Sequence, residues 1–261
     1  ALDTLLLHAP EDLKKPGGKF LENWLLSLRD RGLVKRLGVS IYTADDLNGI
    51  RLNLLDLVQL PLSLYDQRLI QDGTLSRLYQ SGVAVHARSI YLQGLLLTPA
   101  KHWPQWVREE DRFHQSSLEQ FSAEVGCSLL DLAVNFVKAQ SELEAVVVGM
   151  CSSHELMQLL CAWDTNSIQG NCFFSFAFFS FFPKTLSNIP ISQIYRISRK
   201  WTKSLQLTKC PVFVGFIRHF DGASVMVRLL TYLIKTTTMN FNNFTIKSQE
   251  AIQRAQQLAQ E

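Results

Sequence analysis

Residues 36–60 read RLGVSIYTADDLNGIRLNLLDLVQL, and this stretch contains the repeating pattern on which the fold prediction depends. Two short apolar runs, residues 36–41 and 56–60, are typical of strands buried in a parallel sheet. Between them Thr43 is a good N-cap for a short helix. Two aspartates would then lie in the first turn of that helix, where the positive end of the helix dipole stabilises carboxylates. The stretch predicts a strand, a short helix and a second strand.

The same alternation continues on both sides of this stretch. Residues 2–8 (LDTLLLH) predict a strand, and residues 17–31 predict an amphipathic helix. The apolar face of that helix is formed by Phe20, Leu21, Trp24, Leu25 and Leu28. The later predicted elements are a helix at 72–80, a strand at 83–89, a longer helical stretch, a strand at 145–149 and a helix that begins near Ser152. The sequence therefore predicts five strands that alternate with helices.

Strands that alternate with helices form either an open doubly wound sheet or a (β/α)₈ barrel. No G-x-G-x-x-G motif follows any predicted strand, so the dinucleotide-binding open sheet lacks its usual phosphate loop. The spacing of the elements favours the barrel. The fold class is α/β, a partial (β/α)₈ TIM barrel made of five βα units.

The composition excludes several other classes of protein. With 261 residues, 47% hydrophobic and 19% charged, the chain differs from collagenous, disordered and disulfide-scaffold proteins. Its five cysteines form no C-x-x-C pair and no zinc-like spacing with histidine. We expect no disulfide, no bound metal and a reducing, cytoplasmic location.

Charge and aromatic content divide the chain into three parts. Residues 165–238 contain nine basic residues against one acid, Asp221, and ten of the sixteen phenylalanines. Residues 239–261 are polar. We expect boundaries after Asp164 and after residue 238, which give a partial barrel at 1–164, a Phe-rich basic bridge of irregular structure at 165–238, and a helical tail.

Polar side chains lie at the carboxyl ends of the predicted strands. These residues are His8, Ser40, Gln59, Arg88 and Ser89. In parallel α/β sheets this edge faces the ligand. A single histidine there is as often structural as catalytic, but polar ends on successive strands indicate the lining of a site.

Five motifs, in the right order, resemble those of the aldo-keto reductases over residues 1–163. LDTLLLHAP resembles the fourth barrel strand of the family, KRLGVSIY the fifth and DLVQLPLSLYD the sixth. VHARSIYLQGLLL resembles the seventh strand, and VVVGMCSSHEL resembles the eighth strand with its phosphate loop. The resemblance implies NAD(P)H-dependent reduction of a small-molecule carbonyl substrate.

The resemblance also implies roles for individual residues. His8 matches the catalytic histidine that orients and polarises the substrate carbonyl. Ser40 and Gln59 match positions that bind the nicotinamide carboxamide, although Ile41 stands where the family often has asparagine. Arg88 stands where many members stack a tyrosine on the nicotinamide, and a guanidinium can stack on a planar ring as well.

Two predicted loops would bind the cofactor phosphates. Ser89, Gln93 and Gly94 would line the pyrophosphate side. Gly149, Ser152 and Ser153 match the loop at the start of the last helix, where backbone N–H groups favour phosphate. Because no lysine or arginine follows in that loop, NAD is favoured over NADP.

The family's mechanism also needs a tyrosine general acid, a lysine and an aspartate, which in the family lie upstream of the LLH strand. None of the tyrosines in residues 1–163 lies in the family's tyrosine motif. We therefore expect an impaired or inactive reductase, and we expect a five-strand sheet to expose two open edges.

The remaining segments allow two further hypotheses. Residues 172–203 combine a Phe-rich run with basic and aromatic residues, a pattern that could contact a membrane surface or nucleic acid as a non-enzymatic scaffold. The favoured interpretation is that this segment has no such role. Residues 239–261 resemble the amino-terminal start of ClpB-type disaggregases, which suggests a chaperone-related fragment. A gene fragment, a frameshift or a fusion would account for such a mosaic.

Overall fold

The computed structural model describes residues 1–105, 107–150, 152–164 and 213–218. The strands are β1 (Leu2–Leu7), β2 (Val34–Ser40), β3 (Leu57–Pro61), β4 (Ala84–Arg88), β5 (Ala145–Met150) and β6 (Phe213–Arg218). They form one sheet in which the spatial order equals the chain order. Strands β1 to β5 are parallel, whereas β6 is antiparallel to β5.

Helices lie between the parallel strands and after the last of them. They are α1 (Gly18–Asp30), α2 (Arg68–Gln71), α3 (Thr74–Gln80), α4 (Glu109–Glu124), α5 (Leu129–Lys138) and α6 (Ser153–Asp164). The helix predicted after Thr43 is a short 3₁₀ helix, Ala44–Leu47, and Thr43 forms a capping box with Asp46. The five strands predicted from the sequence are confirmed to within two residues at each end.

The strand order confirms the barrel-type winding. A doubly wound sheet reverses its strand order at a switch point, whereas β1 to β5 follow one another without reversal, as in a (β/α)₈ barrel. The fold class predicted for the first part of the chain, α/β with five barrel units, is therefore confirmed. The predicted irregular bridge, apart from β6, and the C-terminal helix lie outside the described residues.

The hydrophobic core lies between the sheet and its helices. Val58 and Leu60 of β3 and Val85 of β4 are fully buried in it, together with Leu75 and Leu78 of α3. Alternate residues of a strand point to opposite faces, so the other face of the same strands is left for different side chains. That second face carries the residues predicted to form the site.

Helix α1 packs less closely than its sequence suggests. The helix itself is confirmed, but Phe20 is 82% exposed and Trp24 is 54% exposed. The remaining leucines of the predicted apolar face are only partly buried. The amphipathic pattern therefore predicted the helix correctly but not the burial of its aromatic residues.

The expectation that β5 forms an open edge of the sheet is wrong. Strand β6 pairs with β5 along its whole length, from Ala145 opposite Arg218 to Met150 opposite Phe213. This pair is antiparallel, whereas every other strand pair in the described sheet is parallel. Within the described residues β1 pairs on one side only, with β2.

Several predictions fall on residues that the structure does not describe. These are the boundary after residue 238, the role of residues 172–203 and the tail at 239–261, all of which stay predictions. The boundary after residue 164 also stays a prediction, although α6 ends there. None of the helices described above is both long and apolar enough to cross a membrane.

Candidate active site

The register of the strands places most of the predicted strand-end residues on one face of the sheet. Ser40 of β2 pairs with Gln59 of β3, and Gln59 pairs with His86 of β4. Paired residues on neighbouring strands point to the same face, and Arg88 lies two residues beyond His86, so it shares that face. The opposite face carries Val58 and the other core residues. The sequence order alone did not give this alignment.

His8 lies at the carboxyl end of β1, next to this row. The preceding residue, Leu7, pairs with Val39, and Val39 directly precedes Ser40. The side chain of His8 is exposed. Because ligands of parallel α/β proteins bind at the carboxyl ends of the strands, His8 is open to a small molecule that approaches this edge.

Two buried polar atoms in the row have no hydrogen-bond partner among the described residues. They are the Ser40 hydroxyl oxygen and the Arg88 Nε. Ser40 is only 2% exposed. Leaving a buried polar group unpaired costs about 1–3 kcal/mol, so native proteins rarely tolerate it without a functional reason. The two atoms indicate a place where a ligand supplies hydrogen bonds.

Arg88 is held in place by the segment that follows β2. Its Nη2 donates a hydrogen bond to the Ile41 carbonyl at 3.0 Å. Its guanidinium carbon lies 4.3 Å from the centre of the Tyr42 ring, a cation–π contact. One face of the Arg88 guanidinium, which was predicted to stack on the nicotinamide, thus lies against the ring of Tyr42.

The loop after β4 has a strained backbone. Ser89, Leu92 and Gln93 have φ angles of 64°, 49° and 58°, and they are the non-glycine residues with positive φ in the described part of the chain. Gly94 follows with φ 87°. In the three non-glycine residues such conformations cost of order 1 kcal/mol each, and they are concentrated at ligand-binding loops. Three of these four residues were predicted to line the pyrophosphate side.

The second predicted phosphate loop lies at the start of α6. Gly149, Ser152 and Ser153 are exposed there, and the Ser152 hydroxyl accepts a hydrogen bond from the Glu155 N–H at 3.2 Å. Burial raises the pKa of Tyr91, and the nearby charge of Glu155 raises it further. Tyr91 belongs to the strained loop, so the charge of Glu155 acts on a residue of the first predicted phosphate loop.

Sequence reasoning missed a polar network on the same face of the sheet. Arg36 of β2 donates to both oxygens of Glu144, at 2.8 and 3.1 Å, and to Asp3 at 3.0 Å. His86 Nε2 lies 3.4 Å from the same Glu144 carboxylate. The contributing residues are up to 141 positions apart in the chain, so no local motif could reveal the network. It ties β1, β2 and β4 to the start of β5.

The Glu144→Gln variant is expected to weaken the dependence of stability on acid pH. The hydrogen bond from His86, assisted by Arg36, lowers the pKa of Glu144 from 4.5 to about 2. A carboxylate with a lowered pKa stabilises the fold above pH 4.5, and that contribution is lost as the pH falls toward 2. The variant should lose about 1–2 kcal/mol of unfolding free energy at pH 7 and show a shallower decline between these pH values.

Urea unfolding at a series of pH values measures this effect. Glu124→Gln is the matched control, because Glu124 lies exposed at the end of α4. If the unfolding free energy of Glu144→Gln fell as steeply toward acid pH as that of the unmodified protein, the lowered pKa of Glu144 would not be the source of the decline.

No group of histidine, cysteine, aspartate and glutamate side chains in the described parts of the chain is arranged to hold a metal ion. The donors on the site face are a hydroxyl, an amide, a guanidinium and a histidine. This set suits hydrogen bonding to an organic ligand.

Comparisons with known proteins identify one family and a number of similar solved structures, two of which follow. The aldo/keto reductase family model matches residues 1–169. A thermostable aldo-keto reductase crystallised with the inhibitor epalrestat has 17% identity and a TM-score of 0.49, with 69% of this chain and 60% of that chain covered. A glycerol dehydrogenase from Gluconobacter oxydans has 22% identity and a TM-score of 0.41, with 54% of this chain and 47% of that chain covered. No curated protein matches.

The chain thus spans less than two thirds of the length of these two structures. Both similarities are too low to support a statement about activity. The family model, in contrast, covers more than half of the chain and includes all five parallel strands. The chain belongs to the aldo/keto reductase family.

Proposed function

We propose that this chain supplies the nicotinamide-binding part of an NAD(P)H-dependent oxidoreductase that reduces a small-molecule carbonyl compound. The observation that carries the proposal is the pair of unpartnered buried atoms, Ser40 Oγ and Arg88 Nε, on one face of the sheet. A carboxamide-bearing ring offers hydrogen-bonding atoms to Ser40 Oγ and a planar surface to the Arg88 guanidinium, and an oxygen of the same ligand could accept the hydrogen bond of Arg88 Nε. When bound, the reduced nicotinamide would supply a hydride.

The residues at the strand ends would bind different parts of the nicotinamide. Ser40 and Gln59, which are paired in register, would hold the carboxamide and so fix which face of the ring is presented. Arg88 would cover the ring with the side of its guanidinium that does not face Tyr42. These contacts match the small number of convergent polar groups that orient a ligand in a pocket.

The two loops would bind the pyrophosphate. One contains Ser89, Gln93 and Gly94; the other contains Gly149, Ser152 and Ser153. The Ser152 hydroxyl accepts from Glu155, so its own hydrogen can still be donated to a phosphate oxygen. The absence of basic residues between Gly149 and Ser153 supports NADH over NADPH as the preferred cofactor.

His8 would donate a hydrogen bond to the substrate carbonyl oxygen from the exposed end of β1. Two of the described tyrosines, Tyr65 and Tyr91, are poorly suited to protonate that oxygen, because burial raises their pKa values. The ring of a third, Tyr42, is covered by Arg88. A good general acid has a pKa near the working pH. We therefore propose that this chain binds the cofactor but transfers hydride slowly.

Titration of the 261-residue chain with NADH and NADPH, followed by cofactor fluorescence, tests the proposal. Ser40→Ala should weaken binding about fivefold, the usual value of about one hydrogen bond. Ser116→Ala, an exposed position on α4, is the control. Failure of both cofactors to bind would overturn the proposed function. Carbonyl-dependent oxidation of NAD(P)H that His8→Ala abolishes would instead overturn only the expected slow hydride transfer.

A cytoplasmic location remains part of this proposal. The scaffold and chaperone hypotheses concern residues 172–203 and 239–261, which lie outside the described residues. No feature of the described chain favours either of them over cofactor binding.

A further inference from the structure

We propose that Arg68 is a positioning residue for the cofactor site: it fixes the Tyr42 segment and thereby sets the position of Arg88. This inference rests on the proposed function. The sequence patterns singled out neither Arg68 nor its partner Asp66. A series of contacts leads from the loop after β3 to the unpartnered Arg88 Nε in the site.

Asp66 forms the fixed end of this chain of contacts. It is 3% exposed and lies in a tight turn in which Ser63 and Asp66 exchange two backbone hydrogen bonds, each 3.1 Å long. The Ser63 hydroxyl also accepts from the Asp66 N–H at 3.0 Å. The turn directly follows β3 and therefore belongs to the rigid part of the sheet.

Arg68 connects this turn to the segment after β2. Its Nε donates to Asp66 Oδ1 at 3.0 Å, and its Nη2 lies 3.4 Å from Asp66 Oδ2. The same Nη2 donates to the Tyr42 carbonyl at 3.1 Å. The planar guanidinium can make both contacts at once because its donors point in fixed directions. A single side chain thus links two of the loops at the carboxyl edge.

Tyr42 is held on both sides of its peptide backbone. Its N–H donates to the Asp46 carboxylate at 2.6 Å, and its carbonyl accepts from Arg68. The ring of a residue held in this way has little freedom to shift, and that ring carries the Arg88 guanidinium. Arg88 also donates to the Ile41 carbonyl in the same segment. Movement of this segment would therefore displace Arg88.

The charges of this cluster leave one cation for the ligand. Burial raises the pKa of Asp66, whereas the hydrogen bond and charge of Arg68 oppose that rise, and the charge of Arg88 opposes it as well. The charges of both guanidinium groups thus act on one carboxylate. Arg68 has the direct ion pair with Asp66, and Arg88 does not. Arg88 therefore keeps a positive charge that no ion pair among the described residues balances, and its buried Nε has no hydrogen-bond partner there.

A double-mutant cycle with NADH and NADPH as probes tests the inference. In the chain that keeps Arg88, Arg68→Met should weaken cofactor binding about tenfold, which corresponds to the lower end of the range for one charge-assisted hydrogen bond. In an Arg88→Met background the same change should have no further effect, because Arg68 acts through Arg88. Arg68→Lys should restore part of the affinity, since lysine can still reach one of the two partners. Arg77→Met, an exposed arginine on α3, is the control.

The outcomes separate this inference from the proposed function. If neither cofactor binds the unmodified chain, the proposed function fails and this inference fails with it. If the cofactor binds and Arg68→Met weakens binding equally in both backgrounds, Arg68 has only a structural role and the inference alone is overturned.

A second variant covers the case in which Arg68→Met does not fold. Tyr42→Leu removes the ring under Arg88 but keeps the carbonyl that Arg68 binds, and Tyr42 is 40% exposed, so the fold should tolerate the change. Tyr42→Leu should also weaken cofactor binding when Arg88 is present, and it should have no further effect when Arg88 is replaced by methionine. An equal loss in both backgrounds would overturn the proposed path through Tyr42.

Discussion

Replacing Gln115 by leucine is expected to lower the free energy of unfolding by about 3–5 kcal/mol, because it leaves several buried polar groups unpaired. Gln115 lies on α4 and is 0% exposed. Its amide donates to the carbonyls of Leu96 and Thr98 at 2.8 and 3.0 Å, and its oxygen accepts from the Tyr65 hydroxyl. Leucine is similar in size but offers none of these bonds.

Urea unfolding followed by circular dichroism measures the loss. Gln120→Leu is the matched control, because Gln120 lies on the same helix but is exposed, and its amide donates to the Glu124 carboxylate. The control should change stability by no more than about 0.5 kcal/mol. A similar result for the two variants would show that Gln115 does not hold the segment from Leu96 to Thr98.

The second large effect is expected for Leu60→Ala. Leu60 lies in β3, the middle strand of the five parallel ones, and its side chain is fully buried in the core. Truncating a buried leucine removes apolar contacts and leaves a cavity, which together cost about 3–5 kcal/mol. Since single domains are stable by only about 5–15 kcal/mol, this change should remove a large share of the stability.

Thermal and urea unfolding of Leu60→Ala and Leu2→Ala provide the comparison. Leu2 is also a strand leucine, but it lies in β1 and is 54% exposed. Its truncation should cost less than about 1 kcal/mol. If Leu60→Ala were no more destabilising than Leu2→Ala, the assignment of the helix-covered face of β3 as the core would be wrong.

The sequence predicted the parallel strands well because each is a short apolar run that ends in polar residues. Residues 36–41 and 56–60 have this form, and the structure has β2 and β3 within two residues of these bounds. The same reasoning placed Ser40 and Gln59 at strand ends. Their alignment depends on the register of two strands, which neither strand specifies alone.

Other features of the site could not be predicted because they depend on contacts between distant parts of the chain. The bond from Arg36 to Glu144 joins residues from different strands and loops, and each is an ordinary surface-type residue in its local sequence. Arg68 is a similar case, since its role follows from the position of the Tyr42 carbonyl. Amphipathic periodicity also failed to show that Phe20 is exposed, because periodicity identifies a helix face but not its partner.

The antiparallel direction of β6 has a consequence for folding during synthesis. The β6 sequence follows β5 by roughly sixty residues, which takes about 3–12 seconds to translate at ordinary rates. During that time the outer backbone groups of β5 have no β6 to pair with. The first residue of β6 to be made, Phe213, pairs with the last residue of β5, Met150. Pairing can thus begin between Met150 and Phe213, which are separated by the shortest length of chain, and extend toward Ala145 as the rest of β6 leaves the ribosome.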